Sequence, residues 1–208
     1  MRLVLFAAAP LALVACTAPP PLLTAAETAA GRELSGRIAD RFQAELQATL
    51  QQTVAREGLV AAIQVCAEEA PRIGARISAE SGARVWRVAL RNRNPRGVPD
   101  GLERAVLEGW ADAPLGPDGR PRVYAAAIGE EGRQELRFLR AIPTGPQCLA
   151  CHGDPSLIAP EVKAAIAARY PADRATGFAP GELRGAFAIR WEPGALRRAL
   201  ARDSSAPA

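Results

Sequence analysis

Leu183-Arg184-Gly185-Ala186-Phe187-Ala188-Ile189-Arg190-Trp191 is the stretch on which the fold turns. Phe187, Ile189 and Trp191 alternate with Ala186, Ala188 and Arg190, the two-residue period of a strand with unlike faces. Three earlier runs share that character. Residues 84–91 place Trp86, Val88 and Leu90 on one face. Residues 122–129 and 134–142 flank Glu130-Glu131-Gly132-Arg133, a connection suited to a hairpin. Helical stretches over 99–110 and 155–170 interrupt the strands, and no internal repeat is present.

Upstream of the strands the period changes. Over 24–56, Leu34, Ile38, Phe42, Leu46, Leu50 and Val54 recur every fourth residue. Four-residue steps overshoot a 3.6-residue turn, so the stripe winds slowly around a long helix. Its second half reads as core, whereas Gly31 and Gly36 weaken the first part, which reads as a stalk. Gly58 punctuates. A second helix then carries Leu59, Ile63 and Cys66 on one face and ends near Glu68 or Glu69, because Pro71 lacks a backbone donor. Pro71 starts a third, short helix reaching Ser81. The sequence therefore predicts one α+β domain over 24–203, N-terminal helices followed by an antiparallel sheet with helical insertions, and a disordered tail over 204–208.

The chain has 208 residues, 49% of them apolar, ordinary for a globular protein. Its 26 basic residues nearly cancel 22 acidic ones, and no basic stripe appears, which argues against nucleic-acid binding. Met1-Arg2 followed by apolar residues 3–15, too short to span a bilayer, has the form of an export signal. Leu13-Val14-Ala15-Cys16 resembles a bacterial lipobox, which implies cleavage before Cys16 and its acylation. Residues 1–15 are then a lipoprotein signal peptide, and 16–23 the acylated Cys with a stiff spacer containing Pro19-Pro20-Pro21. An ordinary secretory signal or an uncleaved short anchor are the alternatives. Each exports the folded part, and the lipobox reading places it in the periplasm on a lipid anchor.

Cys148-Leu149-Ala150-Cys151-His152 carries the chemistry. Cys-x-x-Cys-His is the attachment signature of c-type haem. Two thiols three residues apart reach the two vinyl groups of one porphyrin, and the next residue, His152, falls beneath the iron. A redox Cys-x-x-Cys prefers a βαβ context that is missing here. A structural zinc site needs four ligands, and the only other cysteine after Cys16 is Cys66. A plain disulfide leaves the following His unexplained.

The sixth iron ligand is narrowed by elimination. His152 is the one histidine and Met1 the one methionine, so bis-His and His/Met ligation by this chain are excluded. Cys66, Lys163, Tyr124, Tyr170 and an open, water-bound site remain. Cys66 is favoured as a thiolate for ferric iron; the alternative is an inert core cysteine. A thiolate opposite His lowers the reduction potential, and protonation or reduction releases it.

Further stretches carry a resemblance. They are Ala61-Ala62-Ile63-Gln64-Val65-Cys66, the run Ala89-Leu90-Arg91-Asn92-Arg93-Asn94-Pro95 with Pro99-Asp100, the Cys148–His152 motif with Gly153, Tyr170-Pro171-Ala172-Asp173-Arg174-Ala175-Thr176-Gly177, and Gly181-Glu182-Leu183-Arg184-Gly185-Ala186. In that order they resemble the c-type haem, PAS-like sensor-domain family, found in the periplasmic parts of bacterial sensor kinases and as stand-alone exported haem proteins. The resemblance implies a PAS-like antiparallel sheet with a long N-terminal helix. It also implies His/Cys axial ligation, here by His152 and Cys66.

Two functions follow, a redox or small-ligand sensing module and a periplasmic electron-transfer cytochrome. Neither a transmembrane exit helix nor a kinase region is visible after Trp191, so signalling needs a protein redox or signalling partner. A peroxidase-like enzyme is disfavoured, since no distal histidine exists. Arg91 and Arg93 are offered as partners for the haem propionates.

Overall fold

The structure, a computed structural model, describes residues 21–130 and 132–205. Cys16 and the lipobox lie outside the described residues. Four antiparallel strands form one sheet in the order β1-β4-β3-β2, with β1 Arg84–Val88, β2 Val123–Ile128, β3 Glu135–Pro143 and β4 Leu183–Trp191. The hairpin between β2 and β3 turns where expected, with the Arg133 amide donating to the Glu130 carbonyl at 3.0 Å. The α+β class read from the sequence is the observed one.

Helices cover the sheet unequally. On one face, α1 (Ala25–Gln64), α2 (Ala70–Ser81) and α6 (Pro193–Ser205) pack over Val85, Leu136, Phe138, Phe187, Ile189 and Trp191. On the other, α3 (Gly101–Trp110) covers Val88, Leu139, Ala186 and Ala188 with Leu107. A third apolar cluster lies off the sheet, where Ile63 meets Ile158, Val162, Ile166 and Tyr170 of α5 (Pro160–Arg169) and its flanks. Among the described residues no helix is long and apolar enough to cross a membrane.

Several expectations are corrected. The first part of α1 is no stalk. Thr24 and Glu27 form a reciprocal capping box at its start, and Arg197 of α6 holds Glu27 at 2.6 Å. Gly31, Ser35, Ile38, Ala39, Phe42 and Leu46 are buried. The second half of the stripe is the part that leaves the core. Each four-residue step advances the stripe past a full turn, until Val54 stands 37% exposed.

The helix from Pro193 received no assignment from sequence, and it continues through Ser204 and Ser205, where a disordered tail is expected. The first strand ends at Val88 rather than residue 91, because Ala89 turns away to bond Gly97 at 3.0 Å. α5 starts at Pro160, not near 155, since Pro160 presets the first helical position. The expected end near Glu68 or Glu69 is not a break. The backbone passes through one widened π-helical turn, Val65–Glu69, straight into α2.

Gly31 marks the closest approach of α1 to the sheet. A Cβ there would overlap Leu136 and lie 3.0 Å from Leu196. One turn on, Trp191 Nε1 donates to Ser35 Oγ at 2.9 Å, and that hydroxyl donates to the Gly31 carbonyl at 2.7 Å. Gly36 has nothing within 4 Å of the same atom. Gly31→Ala is therefore expected to destabilise the fold by about 1–3 kcal/mol through overpacking. Gly36→Ala should stabilise it by about 0.5–1 kcal/mol through the restricted unfolded chain. Urea denaturation of both variants checks the pair, and equal shifts would show that α1 does not approach the sheet at Gly31.

Candidate functional site

The Cys-x-x-Cys-His segment forms a short helical turn. A 3₁₀ turn, Pro146–Cys148, leads into α4 (Leu149–His152), and Gly153 closes it by donating to the Leu149 carbonyl at 2.9 Å. A side chain at Gly153 would press within 2.6 Å of that carbonyl, so the residue after His152 must be small. Cys148 and Cys151 are half-buried and carry no disulfide. Cys151 packs against the α5 cluster, and burial pushes its thiol above the usual range.

One irregular segment, 170–178, holds this turn in place. The Gly177 amide donates to the Gly153 carbonyl at 2.7 Å, and the Phe178 amide to the His152 carbonyl at 2.9 Å. Arg93 ties the two together. Its guanidinium donates to the Cys151 carbonyl at 2.6 Å, to the Ala175 carbonyl at 3.3 Å and to both carboxylate oxygens of Asp173 at 3.0 and 3.1 Å. The Arg93 and Asp173 side chains are only 7% and 11% exposed. Arg91 donates to the Thr176 carbonyl and stacks its guanidinium 3.9 Å over the Phe178 ring. Arg91 and Arg93 are thus occupied by protein groups.

The geometry at His152 fixes its tautomer. Nδ1 lies 2.6 Å from the Ala175 carbonyl, which can only accept, so Nδ1 carries the proton and Nε2 keeps its lone pair. Burial, then the charges of Arg184 and Arg93, hold the imidazole far below its ordinary pKa. The ring is therefore neutral near pH 7. Phe178 meets it edge-on, with centroids 6.4 Å apart at 83°.

Cys66 approaches from the widened turn between α1 and α2. Pro71 explains that turn. It cannot donate, and the wider winding lets Ala70 bond Val65 instead. Leu59, Ile63 and Ala67 pack toward α5, while Cys66 is half-buried and in none of the core clusters. Its sulfur lies close enough to act electrostatically on Cys151, Tyr170, Arg87 and Arg184. The other residues left open by composition separate here. Tyr124 packs in the α3 cluster across the sheet, and Lys163 lies exposed, donating to the Pro155 carbonyl at 3.2 Å. Tyr170 alone of these neighbours Cys66, its phenol pushed up by burial.

Sequence reasoning missed Arg87, Asp173, Ala175, Phe178 and Arg184. Arg87 had a signal, since it occupies a core-facing position of β1 in register with Phe187. The Ala175 carbonyl had none, being backbone. Among the described residues no three His, Cys, Asp or Glu groups gather to hold a metal ion unaided. The donors presented are a neutral imidazole and one thiol. That is too few for a structural zinc, and it is the number needed above and below a macrocycle that supplies the equatorial ligands.

Fold and site define an α+β protein in which a Cys-x-x-Cys-His turn, clamped by an arginine-tied loop, lies within electrostatic reach of a cysteine in the widened turn after the N-terminal helix. The chain belongs to the Tll0287-like family, whose sequence profile matches residues 25–191. It is similar to a solved structure described as the crystal structure of the cyanobacterial heme-protein Tll0287. The two are 27% identical with a TM-score of 0.53, over 77% of this chain and 96% of that one. No curated protein matches the chain.

Asp173→Ala strands the buried Arg93 charge. It is expected to lower the unfolding free energy by about 3–5 kcal/mol in urea. A loss below about 1 kcal/mol would mean that the pair does not hold the loop.

Proposed function

We propose that this chain is an exported, lipid-anchored mono-haem c protein that senses redox state or a small ligand and catalyses no reaction of its own. The haem is held by thioethers from Cys148 and Cys151, with His152 and Cys66 as axial ligands. The reading rests foremost on His152, whose Nδ1–H is committed to Ala175 so that Nε2 is free to bind iron. It is supported by Cys66, a thiol outside the apolar clusters and beside Cys151. The similarity to a structure named as a heme-protein supports the cofactor class. The resemblance to PAS-like sensors supports the role. Cys16 supplies the lipid anchor, and a protein partner carries the signal onward.

When bound, the haem supplies a one-electron centre and an exchangeable ligand position. The chain's residues do the rest. Ala175 orients the imidazole, burial and then the surrounding arginines keep it neutral, and Cys66 offers a thiolate that negative charge at the centre would weaken. Loss of the Cys66 thiolate would leave that position open to a neutral diatomic ligand.

The test is the visible spectrum of the chain from Thr24 onward, made with haem-maturation machinery, ferric and dithionite-reduced, with and without carbon monoxide. A covalent, low-spin ferric haem is expected, turning high-spin in Cys66→Ala, with carbon monoxide binding after reduction. Absence of covalent haem would sink the reading. A high-spin wild-type ferric spectrum would return Cys66 to a structural role. Refusal of carbon monoxide in both states would mark an electron-transfer cytochrome instead.

A further inference from the structure

We propose that Arg87 and Arg184 form a two-pronged carboxylate clamp that receives the pair of haem propionates. This rests on the haem reading above.

Both side chains stand where the fold had to place them at a cost. Arg87 sits on β1 between Val85 and the end of the strand, on the face that carries Phe187, with its guanidinium carbon 5.9 Å from the Phe42 ring centroid. A leucine or valine would suit that position. Arg184 reaches the same side through an irregularity. Gly185 pairs with Ile142 and Leu183 with Pro143, so β4 carries one extra residue, Arg184, opposite β3. Leu183 packs with Ala186 and Ala188 on the α3 face, and the bulge turns Arg184 to the opposite side. Gly185 permits this, for a Cβ there would collide with the Val88 carbonyl.

Neither guanidinium has a carboxylate partner among the described residues. Arg184 makes one long hydrogen bond, 3.4 Å to the Arg91 carbonyl, and lies 5.4 Å from the Phe178 ring centroid. Arg87 makes no ion pair. Asp173, the carboxylate whose charge reaches Arg184, is taken by Arg93 at 3.0 Å. Other inward arginines are matched: Arg137 with Asp100 and Glu103, Arg140 with Asp40. Burial, and then the charge of Arg87, pulls Arg184 down to about 10. Two desolvated like charges without counterions are unfavourable unless a dianion completes them.

Their position fits the propionate edge of a ring attached at its vinyl edge. The charges felt by the Cys151 thiol are those of Arg93, Cys66 and Cys148. Arg184 and Arg87 act instead on His152. Arg184 lies 5.4 Å from the Phe178 centroid, and that ring meets His152 edge-on at 6.4 Å, which puts the clamp on the side of the site where the imidazole stands. Free carboxylates or phosphate share the chemistry that would recognise it, so the experiment must separate the two sources.

Haem-loaded wild type, Arg87→Gln, Arg184→Gln, Arg184→Lys and the remote control Arg104→Gln are compared by redox titration and by resonance Raman of the propionate bending bands. The clamp predicts a lower reduction potential and a shifted propionate band in both Gln variants. Arg184→Lys should keep the potential near wild type, and Arg104→Gln should change neither readout. Acetate and phosphate should leave the wild-type spectrum unchanged. Unaltered potential and band in the Gln variants would overturn the clamp. So would a saturable acetate response that Arg184→Gln abolishes while the propionate band stays fixed, which would make the pair a site for a free anion. Circular dichroism identifies any variant that does not fold; Arg184, at the irregular end of β4, carries the test if Arg87→Gln fails. A wild-type chain without covalent haem defeats the underlying reading instead, and the two failures are distinguishable.

Discussion

The guanidinium of Arg93 holds together a region that secondary structure does not. Residues 170–182 have neither a helical nor a sheet ladder, yet they supply the carbonyl that orients His152. Arg93 reaches across from the segment after β1 and binds the Cys-x-x-Cys-His turn through the Cys151 carbonyl. It binds the loop through Asp173 and the Ala175 carbonyl. Asp173 Oδ1 also accepts from the Ala175 amide at 3.0 Å, so one residue of the loop is fixed at both ends of its peptide unit. Burying a charged pair is expensive, and it is tolerable here because the carboxylate and the guanidinium have several partners each. What that expense secures is position: a loop anchored only by apolar contact would let the imidazole rotate.

The other half of the site is placed by two departures from regular helix. Gly58, at φ 84 and ψ 179, bends α1 in a conformation closed to residues with a side chain. The widened turn at Val65–Glu69 then absorbs the missing donor of Pro71. Leu59, Ile63 and Ala67 keep the apolar contact with α5, and Cys66 is left free of it. π-Turns recur at functional sites because they re-aim one residue without ending the helix. The site is thus built where a strained helix and a tied loop converge at one end of a sheet that is otherwise regular.

This division explains what could be read from the sequence. The strands were legible because alternation is local, and β4 was read at its observed bounds. The Cys-x-x-Cys-His turn and the single His were legible because their chemistry is compositional. The break read at Gly58 is the observed kink in α1, whereas the continuity into α2 was not legible, because Pro71 reads as a terminator while the widened turn carries the backbone past it. α6 was missed because Leu196 and Leu200 are the only large apolar residues in it, a weak periodic signal. The stalk was misjudged because Gly31 weakens a helix by propensity while serving it by close packing. Arg184 could not be placed at all, since a bulge is a property of two strands in register and not of one.

Charge accounting connects these parts to the proposed role. Arg93 and Asp173 cancel one another and leave the balance to the remaining groups. On the proposed reading, ferric haem with a Cys66 thiolate is neutral at the iron, and the two propionates are matched by Arg87 and Arg184. The buried site then carries no net charge in the oxidised state. One added electron breaks that balance where solvent cannot repair it. His152 cannot compensate, because its surroundings already exclude a second proton and its Nδ1–H is committed. The arginines have no proton to gain. On that reading the Cys66 thiolate is the anionic ligand that an added electron would oppose. Reduction at such a site would weaken its hold on the helix-borne ligand. Because Cys66 sits in the junction between α1 and α2, such a release would act on the long helix itself.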